Sequence, residues 1–568
     1  MTTRYDRRAF MGYFASIGLG STLLPGVLWG RVADGAEITA ETVACAEEIA
    51  GLSFEPDERE MMVKELRDQA GQIAELHAIP IANAVPPALA FDPFGVAGID
   101  VELPAGGAEH AAPPPRRGPP PSRPARVEEL AFMTVAELSE LVRTRRVSSV
   151  ELTTMYLDRL ERLDPSLHFA VTITRDRALA QARERDAELA RGHWRGPLHG
   201  IPWGAKDLLA VKGYPTTWGT GPFRTQTFDE DATVVTRLDE AGAVLVAKLT
   251  LGELAYGDVW FGGMTRNPWK LDQGSSGSSA GSASATVAGA VGFAIGSETL
   301  GSISSPATRT GATGLRPTFG RVPRTGAMAL SWSMDKLGPL CRSVEDCALV
   351  FGAIQGPDGR DRTVRGAGFA WDPAIAPSSL RVGYFAKVFD RDDERYTNKP
   401  FDLATLDVLR SLGVTLRPAE VPEAKYGALG LILSAEAAAA FDELTRSGKD
   451  AAMTRQTAEA WPNLFRAARF IPAVDYINAN RLRTLVMRQW HELMRDYDVI
   501  VTPTGGSAQL VATNYTGHPA VILPNGYRPD GTPVSVTFLG KLYGEEKLLA
   551  LAHAYQRATG FHRRHPAL

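Results

Sequence analysis

Three cysteines in 568 residues are too few for a disulfide framework or a four-thiolate metal site. Only Cys341 and Cys347 lie close in sequence, no histidine pattern accompanies them, and with Cys45 they read as ordinary buried thiols. An excess of one charge is also missing. The 61 Lys and Arg against 65 Asp and Glu leave a net charge of −4, without the basic surplus that marks a nucleic-acid-binding face, so no nucleic-acid partner is expected. No fixed repeat of about 20 to 50 residues is visible, which argues against solenoids and propellers. Long hydrophobic runs are scarce. Residues 11–30 form the one candidate, and their Gly and Ser content makes them weak as a permanent membrane span. What remains is 44% apolar and 22% charged, a globular composition whose length suggests two to four units of roughly 150 residues.

The first 36 residues form a signal-like segment. Arg7-Arg8-Ala9-Phe10-Met11 precedes the uncharged stretch and Arg31 ends it, a pattern that resembles a twin-arginine export signal. Export to the periplasm by that route is expected; without it the protein would be cytoplasmic. Residues 37–95 read as a helical pair followed by an extended belt. In the second helix Met62, Leu66, Ile73 and Leu76 draw one apolar stripe, which must lie on a larger body, and Pro80 stops the pattern. Residues 96–126 are a Pro-rich linker, with seven prolines between Pro113 and Pro124, a composition that favours an extended, solvated chain.

The main domain is expected over residues 127–568. Thr134 with Glu137 and Ser148 with Glu151 form possible capping boxes, and the second opens a helix stopped at Pro165. Phe169, Val171 and Ile173 alternate as a half-buried strand. Residues 243–247 and 499–501 are short, apolar and β-branched, as buried strands should be. Strands separated by helical stretches predict an α/β layered fold, with residues 37–95 as its N-terminal helical extension.

Residues 273–297 hold 25 positions without a charge, running from Gln273 through Gly277-Ser278-Ser279-Ala280-Gly281-Ser282 to Ser297. A flexible linker would not continue into Val287, Val291, Phe293 and Ile295. A phosphate-binding loop needs Gly-Lys-Ser/Thr, and no lysine is present. A tight loop, a helix of small residues and a strand remain. A second Gly/Ser loop follows at Glu298-Thr299-Leu300-Gly301-Ser302-Ile303-Ser304.

These residues resemble the Gly/Ser-rich signature of the amidase signature family. Gly200-Ile201-Pro202-Trp203-Gly204-Ala205-Lys206-Asp207 resembles its upstream lysine motif, and Gly314-Leu315-Arg316-Pro317-Thr318, Asp498-Val499-Ile500-Val501-Thr502-Pro503 and Thr516-Gly517-His518-Pro519-Ala520 its later landmarks. The resemblance covers about residues 127–562. It implies a mixed, mostly parallel central sheet covered by helices on both faces. By motif it makes Ser302 the nucleophile, Ser278 a bridging serine on a cis peptide after Gly277, and Lys206 the base. Backbone N–H groups of Thr299, Leu300, Gly301 and Ser302 would form the oxyanion hole. The family's 24-residue spacing selects Ser278 over Ser275. No cofactor and no metal are implied.

The chemistry suits these residue types. A serine hydroxyl needs an adjacent base, and lysine can be one if burial strips its proton near neutral pH. Ile201, Pro202, Trp203, Leu208 and Leu209 could supply that setting. Lys248 competes for the role but lacks the Gly-x-Pro context. His518 has no Gly-x-Ser-x-Gly elbow to serve. Two departures from the family stand out. Leu300 replaces a glycine at the oxyanion hole, and Ser304 replaces an arginine whose charge Arg309 could restore.

The sequence thus predicts a serine amidohydrolase that cleaves a small-molecule carboxamide through an acyl-Ser302 intermediate. Ester or carbamate cleavage on the same triad is an alternative. A second reading is an A-type subunit supplying ammonia from glutamine for tRNA charging, suggested by the likeness of residues 38–79 to the small C subunit of tRNA-dependent amidotransferases. A non-catalytic binding protein is the third.

Overall fold

The computed structural model describes residues 37–50, 52–79, 89 and 121–568. The signal-like segment and most of the belt and linker lie outside the described residues. The chain divides into two compact units. One takes in the N-terminal residues through Phe91 together with residues 423–488, the other residues 92–422 and 489–568.

The larger unit is built on eleven strands: β1 (Ala170–Ile173), β2 (Pro202–Lys206), β3 (Val244–Leu249), β4 (Phe293–Glu298), β5 (Thr313–Arg316), β6 (Lys336–Cys341), β7 (Val382–Phe385), β8 (Leu416–Ala419), β9 (Val499–Pro503), β10 (Ala520–Tyr527) and β11 (Pro533–Gly540). They form one sheet in the order β1-β3-β2-β4-β6-β5-β10-β11-β9-β7-β8. Helices across the chain include α1 (Ala40–Ala50), α2 (Pro56–His77), α3 (Ser149–Leu167), α4 (Ala280–Val287), α5 (Ser304–Thr310), α6 (Gly430–Ala440), α7 (Trp461–Ala468) and α8 (Gln509–Thr516).

The sheet is mixed, as expected, but not mostly parallel. β2 runs parallel to β3 and β4, and β7 parallel to β8 and β9. The other six pairings are antiparallel. One antiparallel pair, β10 with β11, is joined by a tight turn, which can connect only antiparallel neighbours. Pro529-Asp530-Gly531 joins β10 to β11, with Gly531 at φ 84° and Arg528 N–H bonded to Thr532 O at 2.8 Å.

The strands at 244–249 and 499–503 stand where the apolar runs predicted. Thr134 and Glu137 form a complete capping box, whereas at Ser148 only the side-chain cap to Glu151 N–H is made. α3 passes through Pro165 and ends at His168, φ 50°. A proline two residues from the end removes one hydrogen bond and leaves the earlier turns intact. Leu157, Leu160 and Leu163 of α3 pack with Val244, Val246 and Leu249 and with Ala285 and Ala288, which follow the charge-free loop, in one buried cluster. Gly281 is required there, since a Cβ would strike Phe169 O and Thr250 N.

In the smaller unit Met62, Leu66, Ile73 and Leu76 of α2 are all buried. α2 packs on α6 and α7, and Arg466 of α7 bridges Glu58 at 2.9 Å and Asp450 at 2.7 Å. The predicted stripe has its larger body.

Candidate active site

Lys206 closes β2, and Ser297 and Glu298 close the parallel neighbour β4. Hydrophobic strands flank both, so the lysine side chain has no route to bulk water; Lys206 is 0% exposed. The loop entering α4 brings Ser278 and Ser279 over the same strand ends. Lys206 Nζ lies 2.8 Å from Ser278 Oγ, 3.0 Å from Ser279 Oγ and 2.9 Å from Ser297 Oγ. The Gly277–Ser278 peptide is cis.

Burial pushes the Lys206 ammonium well below its ordinary range, against a weaker pull from Asp335 and Glu298. Every Nζ partner is a hydroxyl, so no carboxylate contact holds the charge. A neutral amine has two N–H donors and one lone pair. Ser279 O–H is committed to Ser297 O at 3.1 Å, so Ser279 receives from the lysine. Ser278 is therefore able to donate its hydroxyl proton to the lone pair.

Ser302 sits in the turn between β4 and α5 and is 8% exposed, against 1% for Ser278, which makes it the more accessible of the two hydroxyls. Its carbonyl accepts from Ser279 N–H at 3.1 Å, tying the two Gly/Ser loops together. Among the described residues no carbonyl or side chain accepts from the N–H groups of Thr299, Leu300, Gly301 or Ser302. Four consecutive unclaimed amides can hold a developing oxyanion. Gly301 is at φ 90°, where glycine is favoured. Leu300 has no positive φ, so its replacement of a glycine costs no backbone strain.

Glu298 fixes this turn. Its Oε2 accepts from Ile303 N–H (2.9 Å), Ser304 N–H (2.8 Å) and Ser304 Oγ (2.8 Å), and its Oε1 from Arg316 (2.9 Å) and Asn514 (2.8 Å). Burial works against the charge, but Arg316 and Lys336 outweigh it and hold the Glu298 carboxyl at about 2. Arg316 also donates to Thr513 Oγ1 at 2.8 Å and His518 O at 3.0 Å. The charge absent at Ser304 is thus met by Arg316. Arg309, the expected substitute, is exposed and reaches only Gln273 at 3.5 Å. Glu298, Ser279 and Ser297 escaped sequence reasoning; the one signal was their position beside assigned residues.

The competing candidates have other tasks. Lys248 pairs with Asp207 at 2.6 Å and also contacts Thr216 Oγ1 at 2.5 Å. His518 is buried with Nδ1 2.7 Å from Thr516 Oγ1, and burial drives its imidazole down to about 3, leaving it neutral. Ser275 bonds Ser276 O at 2.9 Å, in keeping with the register that selected Ser278. A mostly apolar cavity of about 280 Å³ is lined by Ser297, Thr299, Leu208, Met328, Leu330 and Asp335. Among the described residues no cluster of His, Cys, Asp and Glu is placed to hold a metal, and no helix is long and apolar enough to cross a membrane.

Known proteins resemble the chain over most of its length. The chain is 33% identical over 486 residues to the A subunit of glutamyl-tRNA(Gln) amidotransferase from Moorella thermoacetica, covering 78% of this chain and 99% of that protein. It is 34% identical over 485 residues to the corresponding protein of Azoarcus sp. strain BH72, covering 76% and 99%. The structure of peptide amidase from Stenotrophomonas maltophilia superposes with a TM-score of 0.67 at 30% identity, covering 78% of this chain and 99% of that one. The model of the Amidase family matches residues 151–510. The chain belongs to the amidase family and is a hydrolase of amide carbon–nitrogen bonds.

Proposed function

We propose that the protein is a free serine amidohydrolase working through Lys206, Ser278 and Ser302. Neutral Lys206 takes the Ser278 hydroxyl proton as Ser278 takes that of Ser302, whose oxygen attacks the substrate carbonyl. The N–H groups of residues 299–302 hold the oxyanion. Collapse returns a proton through Ser278 to the leaving nitrogen, releasing ammonia or an amine and leaving acyl-Ser302. Water activated by the same relay then frees the acid. The 2.8 Å approach of a buried, carboxylate-free lysine to Ser278 carries this reading. The test is a fluorophosphonate probe followed by mapping of the adduct. Labelling at Ser302 that disappears in Lys206→Ala supports it; labelling elsewhere, or full amide hydrolysis by Ser302→Ala, overturns it.

The alternative, an A-type subunit making ammonia for tRNA charging, draws on the amidotransferase relatives. A stable B-type partner recovered by pull-down would favour it. The pair α1–α2 is read as a fused counterpart of the small C subunit, with its stripe seated on α6 and α7. Export through the twin-arginine route rests on Arg7 and Arg8. A reporter fused behind residues 1–36 should reach the periplasm, and replacing both arginines by lysine should keep it in the cytoplasm.

A further inference from the structure

A second, polar cleft of about 610 Å³ is lined in part by residues that follow the Ser302 turn. It begins at the turn itself. Ser304 and Ser305 line it, and a Cβ on Gly301 would sit 3.0 Å from Ser305 Oγ and 3.5 Å from Leu510 Cδ2, which lines it too.

Arg309, Arg391 and Arg528 face this cleft, and none of them has a carboxylate within ion-pair distance among the described residues. Arg391 is held flat on the Tyr396 ring, 3.4 Å from its centroid, with NH1 on Val388 O (3.0 Å) and Gly505 O (3.3 Å). Arg528 is fixed by Pro533 O at 2.8 Å and Asn398 Oδ1 at 3.0 Å. Arg309 makes only its 3.5 Å contact with Gln273. The two carboxylates lining the cleft feel Arg391 and Arg528 at longer range but take their hydrogen bonds from other groups. Asp402 accepts from Tyr396 Oη and Asn525, each at 2.8 Å, and Asp530 from Thr532 Oγ1 at 2.6 Å. The fourth arginine, Arg395, is paired with Asp393 at 3.0 Å.

Arg309, Arg391 and Arg528 against Asp402 and Asp530 leave the cleft with an excess of positive charge, and the fork geometry of a guanidinium suits a carboxylate. We propose that the cleft is the specificity subsite for a carboxylate carried by the substrate itself, so that the enzyme acts on amides bearing a remote anionic end. This rests on the hydrolase reading and deepens it. The spacing follows from α5. Arg309 stands five positions beyond Ser304, about 8 Å along a helix rising about 1.5 Å per residue. The carboxylate is therefore expected several bonds away from the scissile carbonyl, with the arginine side chain closing the remaining distance.

The probes are the monoamide of octanedioic acid and octanamide, equal in length and different only in the terminal carboxylate. Binding of each to the Ser302→Ala protein is measured by calorimetry, which needs no turnover and so separates this proposal from the hydrolase reading. The acid amide is expected to bind at least about tenfold tighter, about 1.4 kcal/mol. That preference should shrink toward one with Arg391→Gln or with exposed Arg309→Gln in the same background, and in about 1 M salt, where screening reaches about 3 Å. In the active enzyme the preference should be carried by KM rather than kcat. Equal affinity for the two amides, or a preference untouched by both arginine variants, overturns the proposal. Arg309→Gln lies on the surface and guards against a folding failure at Arg391.

Discussion

Two lysines sit side by side on neighbouring strands, each without exposure to water, and the molecule uses them in opposite ways. Lys248 meets the Asp207 carboxylate at 2.6 Å, while Lys206 meets only hydroxyls. Burial lowers both. Only Lys248 has a carboxylate in contact to offset that loss of solvation. On the proposed mechanism, what separates the base from the structural cation is the partner rather than the depth.

The sharpest way to break this comparison is to remove each amine in turn. Lys206→Met should cost about 10⁴-fold or more in kcat/KM on any amide found, in line with loss of a member of a catalytic unit. If Lys248→Met costs the same with no loss of stability, the distinction between the two is wrong. Lys248→Met should instead destabilise the fold by about 3–5 kcal/mol, because Asp207 is left buried and unpaired. Changing Asp207 to Asn in the same protein should recover part of that in chemical denaturation.

The Glu298–Arg316 pair supplies a third case, a buried anion held by a cation. The Glu298 folded value of about 2 lies below its ordinary 4.5. Its contribution is therefore complete above about pH 4.5 and fades as pH falls toward 2. Glu298→Gln should lose on the order of 3 kcal/mol at neutral pH, with the gap to the parent closing in acid denaturation. The smallest effect sharpens the comparison by converting one lysine toward the other. Ser297→Asp places a carboxylate against Lys206, so the acid limb of kcat/KM should move up by about 1–3 units. An unmoved limb would mean that Lys206 does not set it.

Much of this site could be read from the chain, for a physical reason. Lys206 and Ser278 belong to local motifs whose residues also shape the turns that hold them, so register and geometry arrive together. Partners brought in by the sheet were harder. Ser297 reaches Lys206 because β2 and β4 are neighbours, and Arg316 reaches Glu298 across the one intervening strand, β6. Neither adjacency is written in local spacing. Arg309 stood out for nearness in sequence, whereas the fold supplies an arginine from elsewhere. The share of parallel strands was overestimated for the same reason, since pairing direction depends on connections such as the turn at Asp530-Gly531. Helix α3 passes Pro165 because a residue-level stop signal near a helix end breaks only one bond.

The bonds from Glu298 to Asn514, and from Arg316 to Thr513 and His518, tie the nucleophile turn to residues about two hundred positions later in the chain. During synthesis, Thr513, Asn514 and His518 leave the ribosome about two hundred residues after Ser302. A chain halted before residue 513 would carry every residue of the proposed relay and the local bonds of Glu298, but none of these late-arriving ones.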